Sequence, residues 1–355
     1  MSTRVFLALS LVTNVSAHVP VKQTVKQAVQ LLHLPCIFLL CVLCVSCATS
    51  AQDAAEPPFT LKQVGPNVWA AISNPKSKTP AGANTGFVIG DDGVAVIDTT
   101  ASGDANGNFD TEAAKQLLAT IRKLTKLPVK FVINTHYHVD HVGANAVFVD
   151  AGAIVLAHRN VRGWIHSENL RMFGTDIKLQ QKAFIEALLP PTVTYDQSVD
   201  LYLGSREIRV RTFPGHPGGD SVVVIPDAKV VFAGDLFWRN TLPNLVDAST
   251  KPLIDTLDTL AKNEADATFV PGHGDVGTAQ DVQAFRGYLV TLRTLVADAQ
   301  AQGKTGDALA ETVLPALTEK YGQWDFFKYL AKPNILETDA ELSGKKRIPQ
   351  AQPTK

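Results

Sequence analysis

The chain has 355 residues, with 33 Lys and Arg against 34 Asp and Glu, so its formal net charge is −1. Hydrophobic residues make up 45% and charged residues 19%, which is typical of a globular protein and excludes a disordered or fibrous chain. The near-neutral charge also argues against a protein that binds nucleic acid through a basic surface, so no nucleic-acid partner is expected.

The cysteines of the chain all lie near its N-terminus, at Cys36, Cys41, Cys44 and Cys47. The sequence beyond Cys47 contains none. A folded body in that part of the chain therefore holds no disulfide, no thiolate metal ligand and no cysteine nucleophile.

Residues 1–51 have the composition of a signal or leader segment. They contain three basic residues and no acidic one, and the apolar run Leu31–Val45 is followed by small residues. This composition predicts a periplasmic or secreted protein. A single N-terminal anchor helix is the alternative, and a start site assigned too far upstream would explain the unusual length of the segment.

Cys47 adds a variant of this expectation. It follows Val45-Ser46, an arrangement that resembles a lipoprotein cleavage site, although Cys44 occupies a position where Leu or Val is usual. Export as a lipoprotein anchored at Cys47 is therefore a second expectation.

After a short polar linker at residues 52–58, strand and helix patterns alternate along the chain. Strands are predicted at Thr60–Val64, Val68–Ile72, Gly86–Gly90, Val94–Asp98, Val129–Asn134, Ala153–Ala157, Val222–Ile225, Val230–Phe232 and Ala267–Val270. Helices are predicted at Asp110–Lys126, Ile177–Leu189, Pro252–Asn263, from a Thr278–Asp281 capping box to Gly303, and at Ala308–Tyr321. The turn Asp91-Asp92-Gly93 predicts a hairpin. The pattern indicates an α/β domain over residues 59–342, followed by a flexible tail at 343–355.

A dense group of polar side chains follows the predicted strand Val129–Asn134. It consists of His136, His138, Asp140 and His141. Alternate residues of an extended segment project to the same side, so the first two histidines can reach one metal ion. The other two residues lie past the turn and can face a second ion.

Three further candidate ligands, His216, Asp235 and His273, each follow a glycine at the end of an apolar stretch. Imidazole and carboxylate groups are ligands that zinc prefers, and loops after rigid strands bring such groups together. Seven ligands suit two metal ions, with one carboxylate bridging them.

A single histidine at a strand end is more often a hydrogen-bonded polar residue than a metal ligand. Four His and Asp within six residues are hard to explain in that way, because each would need its own hydrogen-bond partner. Asp98 ends the predicted hairpin, and we expect it to hold a ligand histidine rather than only to shape the turn. The remaining histidines are expected to have no functional role: His18, His33, His158 and His166.

The combined motif, from roughly Phe59 to Asp275, resembles that of the metallo-β-lactamase superfamily. The resemblance implies an αββα sandwich, in which two mixed β-sheets are flanked by helices and two Zn²⁺ ions per chain bind at one edge. It also implies a division of the ligands, with the first zinc held by His136, His138 and His216, the second by Asp140, His141 and His273, and Asp235 bridging both.

Three stretches resemble the class B β-lactamases within that superfamily. They are Gly215–Val224 around the third histidine, Gly143–Ala146 after the first ligands, and Asn244–Ala248. The last resembles a substrate-binding loop, and the resemblance implies that Asn244 contacts the lactam carbonyl.

The sequence departs from that subclass at several positions. Asp235 replaces a cysteine ligand, and His141 stands where an arginine is usual. Trp238 aligns with the lysine that binds the substrate carboxylate, which leaves Arg239 as the neighbouring cation. These metal ligands resemble the glyoxalase II and lactonase branch instead.

These features predict an exported dinuclear zinc hydrolase that opens a cyclic amide of the β-lactam type by attack of a metal-bound hydroxide. Asp140 would orient the hydroxide and shuttle a proton, and Asn244 would stabilise the developing oxyanion. Arg239, Asn244 and Trp238 are the predicted substrate-binding residues, and a small molecule is the expected partner.

The main alternative is a lactonase or a glyoxalase II-like thioesterase. An iron-dependent oxygen-reducing or sulfur-oxidising enzyme could use the same ligands, and a non-catalytic binding protein could use the same fold.

Overall fold

The computed structural model describes residues 56–103 and 107–349, which belong to one unit spanning Asp53–Lys355. The predicted leader at residues 1–51, including Cys47, lies outside the described residues. Within the described part of the chain, no helix combines the length and the apolar character needed to cross a membrane.

Strands and helices alternate along the described chain. The strands are β1 (Phe59–Gly65), β2 (Val68–Ser73), β3 (Thr85–Ile89), β4 (Val94–Ile97), β5 (Ser102–Gly103), β6 (Phe109–Asp110), β7 (Val129–Ile133), β8 (Ile154–His158), β9 (Val193–Tyr195), β10 (Ser198–Leu203), β11 (Arg206–Thr212), β12 (Ser221–Ile225), β13 (Val230–Trp238) and β14 (Thr268–His273). The helices are α1 (Glu112–Leu124), α2 (Val139–Val142), α3 (Asn145–Val149), α4 (Arg159–Trp164), α5 (Ser167–Phe173), α6 (Leu179–Glu186), α7 (Thr250–Asn263), α8 (Ala279–Ala301), α9 (Gly306–Tyr321) and α10 (Phe327–Leu342).

The first sheet has the strand order β1-β2-β3-β4-β7-β8-β9. Strands β1 to β4 pair antiparallel, and the predicted Asp91-Asp92-Gly93 turn joins β3 to β4. From β4 onward the pairing is parallel, because helical connections such as α1 carry the chain back to the start of the next strand. The carboxyl ends of β4 and β7 therefore meet at one edge, where Ile97 pairs with Ile133.

The second sheet has the order β10-β11-β12-β13-β14. Its first four strands pair antiparallel, and β14 runs parallel to β13 after the crossover through α7. In this register Trp238 pairs with His273, so the carboxyl ends of β13 and β14 lie side by side.

The two sheets pack face to face. Ile133 of the first sheet and Val223 and Phe232 of the second belong to one buried cluster between the sheets. A second cluster packs α1 and α3 on the outer face of the first sheet, and a third packs α7 to α10 on the outer face of the second. Two mixed sheets with helices on both outer faces form the predicted αββα sandwich.

The start of the predicted C-terminal tail makes hydrogen bonds to the rest of the domain. Lys346 donates a hydrogen bond to the carbonyl oxygen of Leu245, and Arg347 donates two to Glu168. The tail is held at these points because its cations meet acceptors on neighbouring elements.

Candidate metal centre

The loop after β7 carries the first metal-binding candidates. It leads to His138, which precedes the short helix α2. His136 and His138 project to one side of the loop, with ring centroids 4.6 Å apart, while the intervening Tyr137 is fully buried. The two histidines therefore lie together, as their alternation in the sequence predicted.

The structure brings the seven predicted ligands together in two groups. The ligand atoms within each group all lie within 4.8 Å of one another. One group contains His136, His138, His216 and Asp235, and the other contains Asp140, His141 and His273.

Asp235 lies between the two groups and turns one carboxylate oxygen to each. Its Oδ2 is 3.6 Å from Nε2 of His136 and 3.8 Å from Nε2 of His216. Its Oδ1 is 3.0 Å from Nε2 of His141 and 3.5 Å from Nε2 of His273. A carboxylate in this position can serve ions on both sides.

Close packing around Asp235 depends on glycine. Gly272, on the adjacent strand β14, leaves room for the carboxylate, since a Cβ there would clash with Asp235 Oδ1. Gly234 has a φ of +50°, and a Cβ there would lie 2.6 Å from Thr135 Oγ1. The glycines before Asp235 and His273 therefore allow two ligand-bearing strands to approach each other.

Asp98, at the end of β4, fixes a ligand histidine as predicted from its position. Its Oδ2 is 2.8 Å from Nδ1 of His141 and accepts a 2.7 Å hydrogen bond from the Thr135 hydroxyl. Its Oδ1 accepts a hydrogen bond from the Thr135 backbone amide. With Nδ1 engaged in this way, Nε2 of His141 faces the centre.

Two other ligand histidines are supported by side chains that follow them or stack on them. Asp220 accepts a hydrogen bond from the His216 backbone amide, and its Oδ1 is 3.6 Å from the His216 Nδ1. The Trp238 ring stacks on the His273 ring at a centroid distance of 4.0 Å, and its Nε1 donates to the Asp235 carbonyl oxygen. Trp238 is buried, so it faces the ligands rather than an open surface.

The donor atoms of this cluster fit a metal ion better than they fit hydrogen bonding. The Nε2 atoms of His136, His138 and His273 are buried, and they make no hydrogen bond with any described residue. Such orphaned polar atoms are costly unless they coordinate a metal. Imidazole nitrogens and carboxylate oxygens are the donor set that zinc favours.

Burial and neighbouring charges shift the pKa values of the clustered histidines in different directions. Burial and the surrounding histidines lower the pKa of His138 to about 3 and hold the pKa of His136 well below its usual range. Burial opposes the charged form of His141 as well, but nearby carboxylates, Asp235 foremost, raise its pKa well above the usual value. The pKa of Asp235 is in turn held well below its usual range by the histidines around it. The ligands His136 and His138 are thus neutral imidazoles, the form that binds metals.

The predicted substrate residues lie near this cluster in different roles. The Asn244 carbonyl oxygen is 3.2 Å from His216 Nε2, and its side-chain oxygen accepts a hydrogen bond from the Val246 amide. Arg239 is paired with Asp281 at 3.1 Å. Of the three predicted residues, Asn244 therefore lies against a ligand, Trp238 supports one, and Arg239 is engaged in an ion pair.

Two histidines expected to have no functional role lie outside the ligand groups. His158 accepts a hydrogen bond from the Asn160 amide at the start of α4, and His166 Nε2 is 2.9 Å from the Leu188 carbonyl oxygen. Each has a backbone partner for one of its ring nitrogens.

Sequence reasoning missed the side chains that hold Tyr137. Its hydroxyl donates a 2.5 Å hydrogen bond to Asp247, and Asn169 of α5 bonds the backbone on both sides of His138. Burial and the Asp247 carboxylate raise the pKa of Tyr137 well above its usual range, so the phenol stays protonated and donates. No local motif could reveal these partners, which come from distant parts of the chain.

The family model of the metallo-beta-lactamase superfamily matches residues 79–273, more than half of the chain. The chain therefore belongs to that superfamily of hydrolases. The two sheets, their flanking helices and the clustered His and Asp residues are the features that the sequence resemblance implied.

Its relatives have different stated activities. The linear primary-alkylsulfatase of a Pseudomonas species is 22% identical over 280 residues, covering 65% of this chain and 51% of that protein. The metallo-beta-lactamase type 2 of Bacillus cereus is 24% identical over 226 residues, covering 62% of this chain and 78% of that one. The chain thus spans about half the length of the alkylsulfatase.

Solved structures show the same fold at low sequence identity. The metallo-beta-lactamase of Pontibacter korlensis has a TM-score of 0.52 and 22% identity, with 65% of this chain and 99% of that one aligned. A double mutant of the sec-alkyl sulfatase PisA1 has a TM-score of 0.62 and 16% identity, with 81% of this chain and 50% of that one aligned.

Proposed function

We propose that the protein is a dinuclear zinc hydrolase, and that a cyclic amide of the β-lactam type is its substrate. The observation that carries the dinuclear part is Asp235, whose two oxygens face different histidine groups. Bound zinc ions would supply Lewis-acid chemistry, lowering the pKa of a coordinated water and polarising the substrate carbonyl.

Asp140 is the residue best placed to handle a proton in this reaction. Its Oδ2 is 3.3 Å from Nε2 of His273 and 3.7 Å from Nε2 of His141. Its side chain is 30% exposed, whereas that of Asp235 is 2% exposed, so Asp140 is the carboxylate of the centre that substrate and water can reach. A carboxylate there can orient an attacking water and pass its proton to the leaving group.

Asn244 supports the choice of a cyclic amide. Its side-chain oxygen is engaged by the Val246 amide, which leaves the side-chain NH2 group to donate elsewhere. Its backbone carbonyl lies 3.2 Å from His216, so the residue is beside the first ligand group. An amide donor there could stabilise the negative charge that develops on the carbonyl oxygen of the ring.

A second candidate is an ester-type hydrolase acting on a lactone or a thioester. The pairing of Arg239 with Asp281 favours it, because that cation is then not presented to a substrate carboxylate of the kind that β-lactam antibiotics carry. Substrates without a carboxylate lose nothing from this arrangement.

Export of the enzyme to the periplasm or the medium is also a proposal. It rests on the composition of residues 1–51, with Cys47 as a candidate lipid anchor. An enzyme in that compartment meets antibiotics and lactones, which agrees with the proposed substrate class and would link the protein to antibiotic resistance.

The test is a side-by-side assay of zinc-loaded protein on a penicillin, a cephalosporin, a carbapenem, a lactone, a thioester and an alkyl sulfate ester. We expect turnover of at least one β-lactam, abolished by a chelator and unaffected by a serine-directed inhibitor. Protein that leaves every β-lactam intact while opening the lactone or the thioester would contradict the first proposal and support the second.

A further inference from the structure

A series of hydrogen-bonded side chains connects the C-terminal segment to the metal-binding loop. We call Arg347, Glu168, Arg171, Asp247 and Tyr137 the tail network. At its outer end, the Arg347 guanidinium donates to both carboxylate oxygens of Glu168, at 2.9 and 2.8 Å. Glu168 also accepts a 2.6 Å hydrogen bond from Nε of Arg171.

The inner end of the tail network reaches the segment between two metal ligands. Arg171 donates to both oxygens of Asp247, and the Tyr137 hydroxyl donates to Asp247 Oδ2 at 2.5 Å. Tyr137 lies between His136 and His138 in sequence and is fully buried. The Tyr137 hydroxyl therefore ties Asp247 to the loop that carries both histidines.

Helix α5 reinforces this connection through a different contact. The Asn169 side chain donates a 2.8 Å hydrogen bond to the Tyr137 carbonyl oxygen and accepts a 3.0 Å one from the Val139 amide. These bonds flank His138. Because Glu168 and Arg171 belong to the same helix, holding α5 in place also holds the backbone of this ligand.

Lys346 makes a parallel contact with the neighbouring loop. Its ammonium group donates to the Leu245 carbonyl oxygen at 2.5 Å and lies 3.4 Å from Glu337. Its side chain is only 3% exposed. Leu245 follows Asn244, the residue whose carbonyl oxygen lies against His216. Arg347 thus contacts the network that holds the loop of His136 and His138. Lys346 contacts the residue next to Asn244, whose carbonyl oxygen lies beside His216.

The charges of the tail network require an outer cation. The side chains of Glu168 and Asp247 are 11% and 1% exposed, and buried carboxylates are costly unless they are paired. The single guanidinium of Arg171 lies between them, so one negative charge remains to be balanced. Arg347 supplies the balancing positive charge from the surface, where its own side chain is 53% exposed.

We propose that Arg347 is a positioning residue of the metal centre, acting through Glu168, Arg171 and Asp247 on the loop of His136 and His138. The inference rests on the proposed metal site. It extends that proposal by assigning a role to a C-terminal segment that lies outside the superfamily match.

The experiment measures metal binding in the full chain without any substrate. Zinc affinity is determined by competition with a chromophoric chelator, and the visible spectrum of the cobalt-loaded protein reports ligand geometry. Arg347→Ala is expected to weaken zinc binding at the site that contains His136 and His138 by about threefold to tenfold, less than the 10- to 100-fold typical of a direct partner of a ligand, and to change the cobalt spectrum. Arg347→Lys should fall between Arg347→Ala and wild type, because it keeps the charge but not the two-pronged geometry.

Lys345→Ala is the matched control, since Lys345 is the exposed neighbour of the two tail residues. It should leave both affinity and spectrum unchanged. Unfolding measured on every variant shows whether the fold is retained. A drop in the midpoint of Arg347→Ala with wild-type zinc affinity and spectrum would show a structural role only and overturn the inference.

A double-mutant cycle tests the route. Asp247→Asn should weaken zinc binding more than Arg347→Ala, and Arg347→Ala should add no further loss in the Asp247→Asn background. Fully additive losses would mean that Arg347 does not act through Asp247. Wild-type protein that binds no metal would overturn the proposed function as well, whereas metal-binding wild type with unaltered Arg347→Ala would overturn this inference alone.

Discussion

Asp98 is the side chain on which the orientation of His141 most directly depends. Its carboxylate contacts Nδ1 of that histidine and both donors of Thr135. Removing the charge while keeping the shape, in Asp98→Asn, should weaken one zinc site by about 10- to 100-fold, the usual effect of losing a hydrogen-bonded partner of a metal ligand. Chelator competition measures this loss. Asp266→Asn, at an exposed aspartate paired with Lys229, should leave the affinity unchanged, and equal affinities in both variants would show that Asp98 does not support the ligand.

Tyr137 offers a test of the buried hydrogen bond to Asp247. Tyr137→Phe removes the donor and leaves a buried carboxylate oxygen with Arg171 as its remaining partner. We expect a loss of about 1–3 kcal/mol in the free energy of unfolding, measured by chemical denaturation. Tyr329→Phe changes a side chain that is 77% exposed and should stay within about 0.5 kcal/mol of wild type. A Tyr137→Phe protein as stable as this control would contradict the argument.

At the scale of elements, the closeness of the two sheets is set by a glycine in β3. A Cβ at Gly86 would overlap the Phe232 ring of the opposite sheet. Gly86→Ala should therefore cost about 1–3 kcal/mol of unfolding free energy through overpacking. Gly287→Ala in α8 is the control, because a Cβ there meets nothing within 4 Å and alanine favours the helix by up to about 1 kcal/mol. Equal stability changes in both variants would show that the sheets can separate without cost.

The contact between the tail and α5 predicts a dependence on pH. Burial opposes the ionised form of Glu168, but its hydrogen bonds with Arg347 and Arg171 lower its pKa in the folded protein. The stability it contributes is present above the unfolded pKa of about 4.3 and is lost as the pH falls through the lower folded value. The stability difference between wild type and Arg347→Ala, measured by denaturation, should therefore be constant from pH 7 to 5 and shrink below pH 4. A difference that grows in acid would contradict this pairing.

The sequence predicted elements whose pattern is local and strongly periodic. The capping box at Thr278 begins α8 as expected, and the hairpin at residues 91–93 joins β3 to β4. It did not predict β10 and β11, which form a half-exposed hairpin with several arginines, nor α10, which contains Pro333. In those cases packing on the rest of the molecule outweighs weak local preference.

The candidate site shows the same difference between features that are local in the sequence and features that depend on distant residues. The seven candidate ligands could be predicted because they are His and Asp residues that follow predicted strands, and the structure brings them together. Their supports could not be found in this way, because Tyr137 and Asp247 are 110 positions apart in the chain. Asp98 was the exception, since it ends the strand that neighbours the ligand loop.

At the scale of the whole molecule, metal binding should be coupled to folding. The buried imidazole nitrogens of His136, His138 and His273 make no hydrogen bond with any described residue, and a bound ion would give them a partner. Zinc at a free concentration 1,000-fold above its dissociation constant should raise the unfolding free energy by about 4 kcal/mol for one site. Thermal unfolding with and without a chelator measures this effect, and the shift should be smaller in His136→Ala. A wild-type melting temperature that changes neither with zinc nor with chelator would contradict the coupling.

Asp235 tests whether one carboxylate serves both halves of the centre. Asp235→Cys should retain a zinc site of altered affinity, because a thiolate also binds zinc. Asp235→Ala should lose affinity at both sites, since the carboxylate has one oxygen toward each histidine group. Titration with zinc distinguishes these outcomes. An Asp235→Ala protein with both sites intact would remove the bridging role.

The zinc content of the purified full-length protein tests the central claim most directly. Protein prepared with zinc in excess and then freed of loosely bound metal should contain two zinc ions per chain by elemental analysis, one for each ligand group that Asp235 joins. One zinc ion per chain, or none, would contradict the dinuclear centre from which the proposed hydrolysis follows.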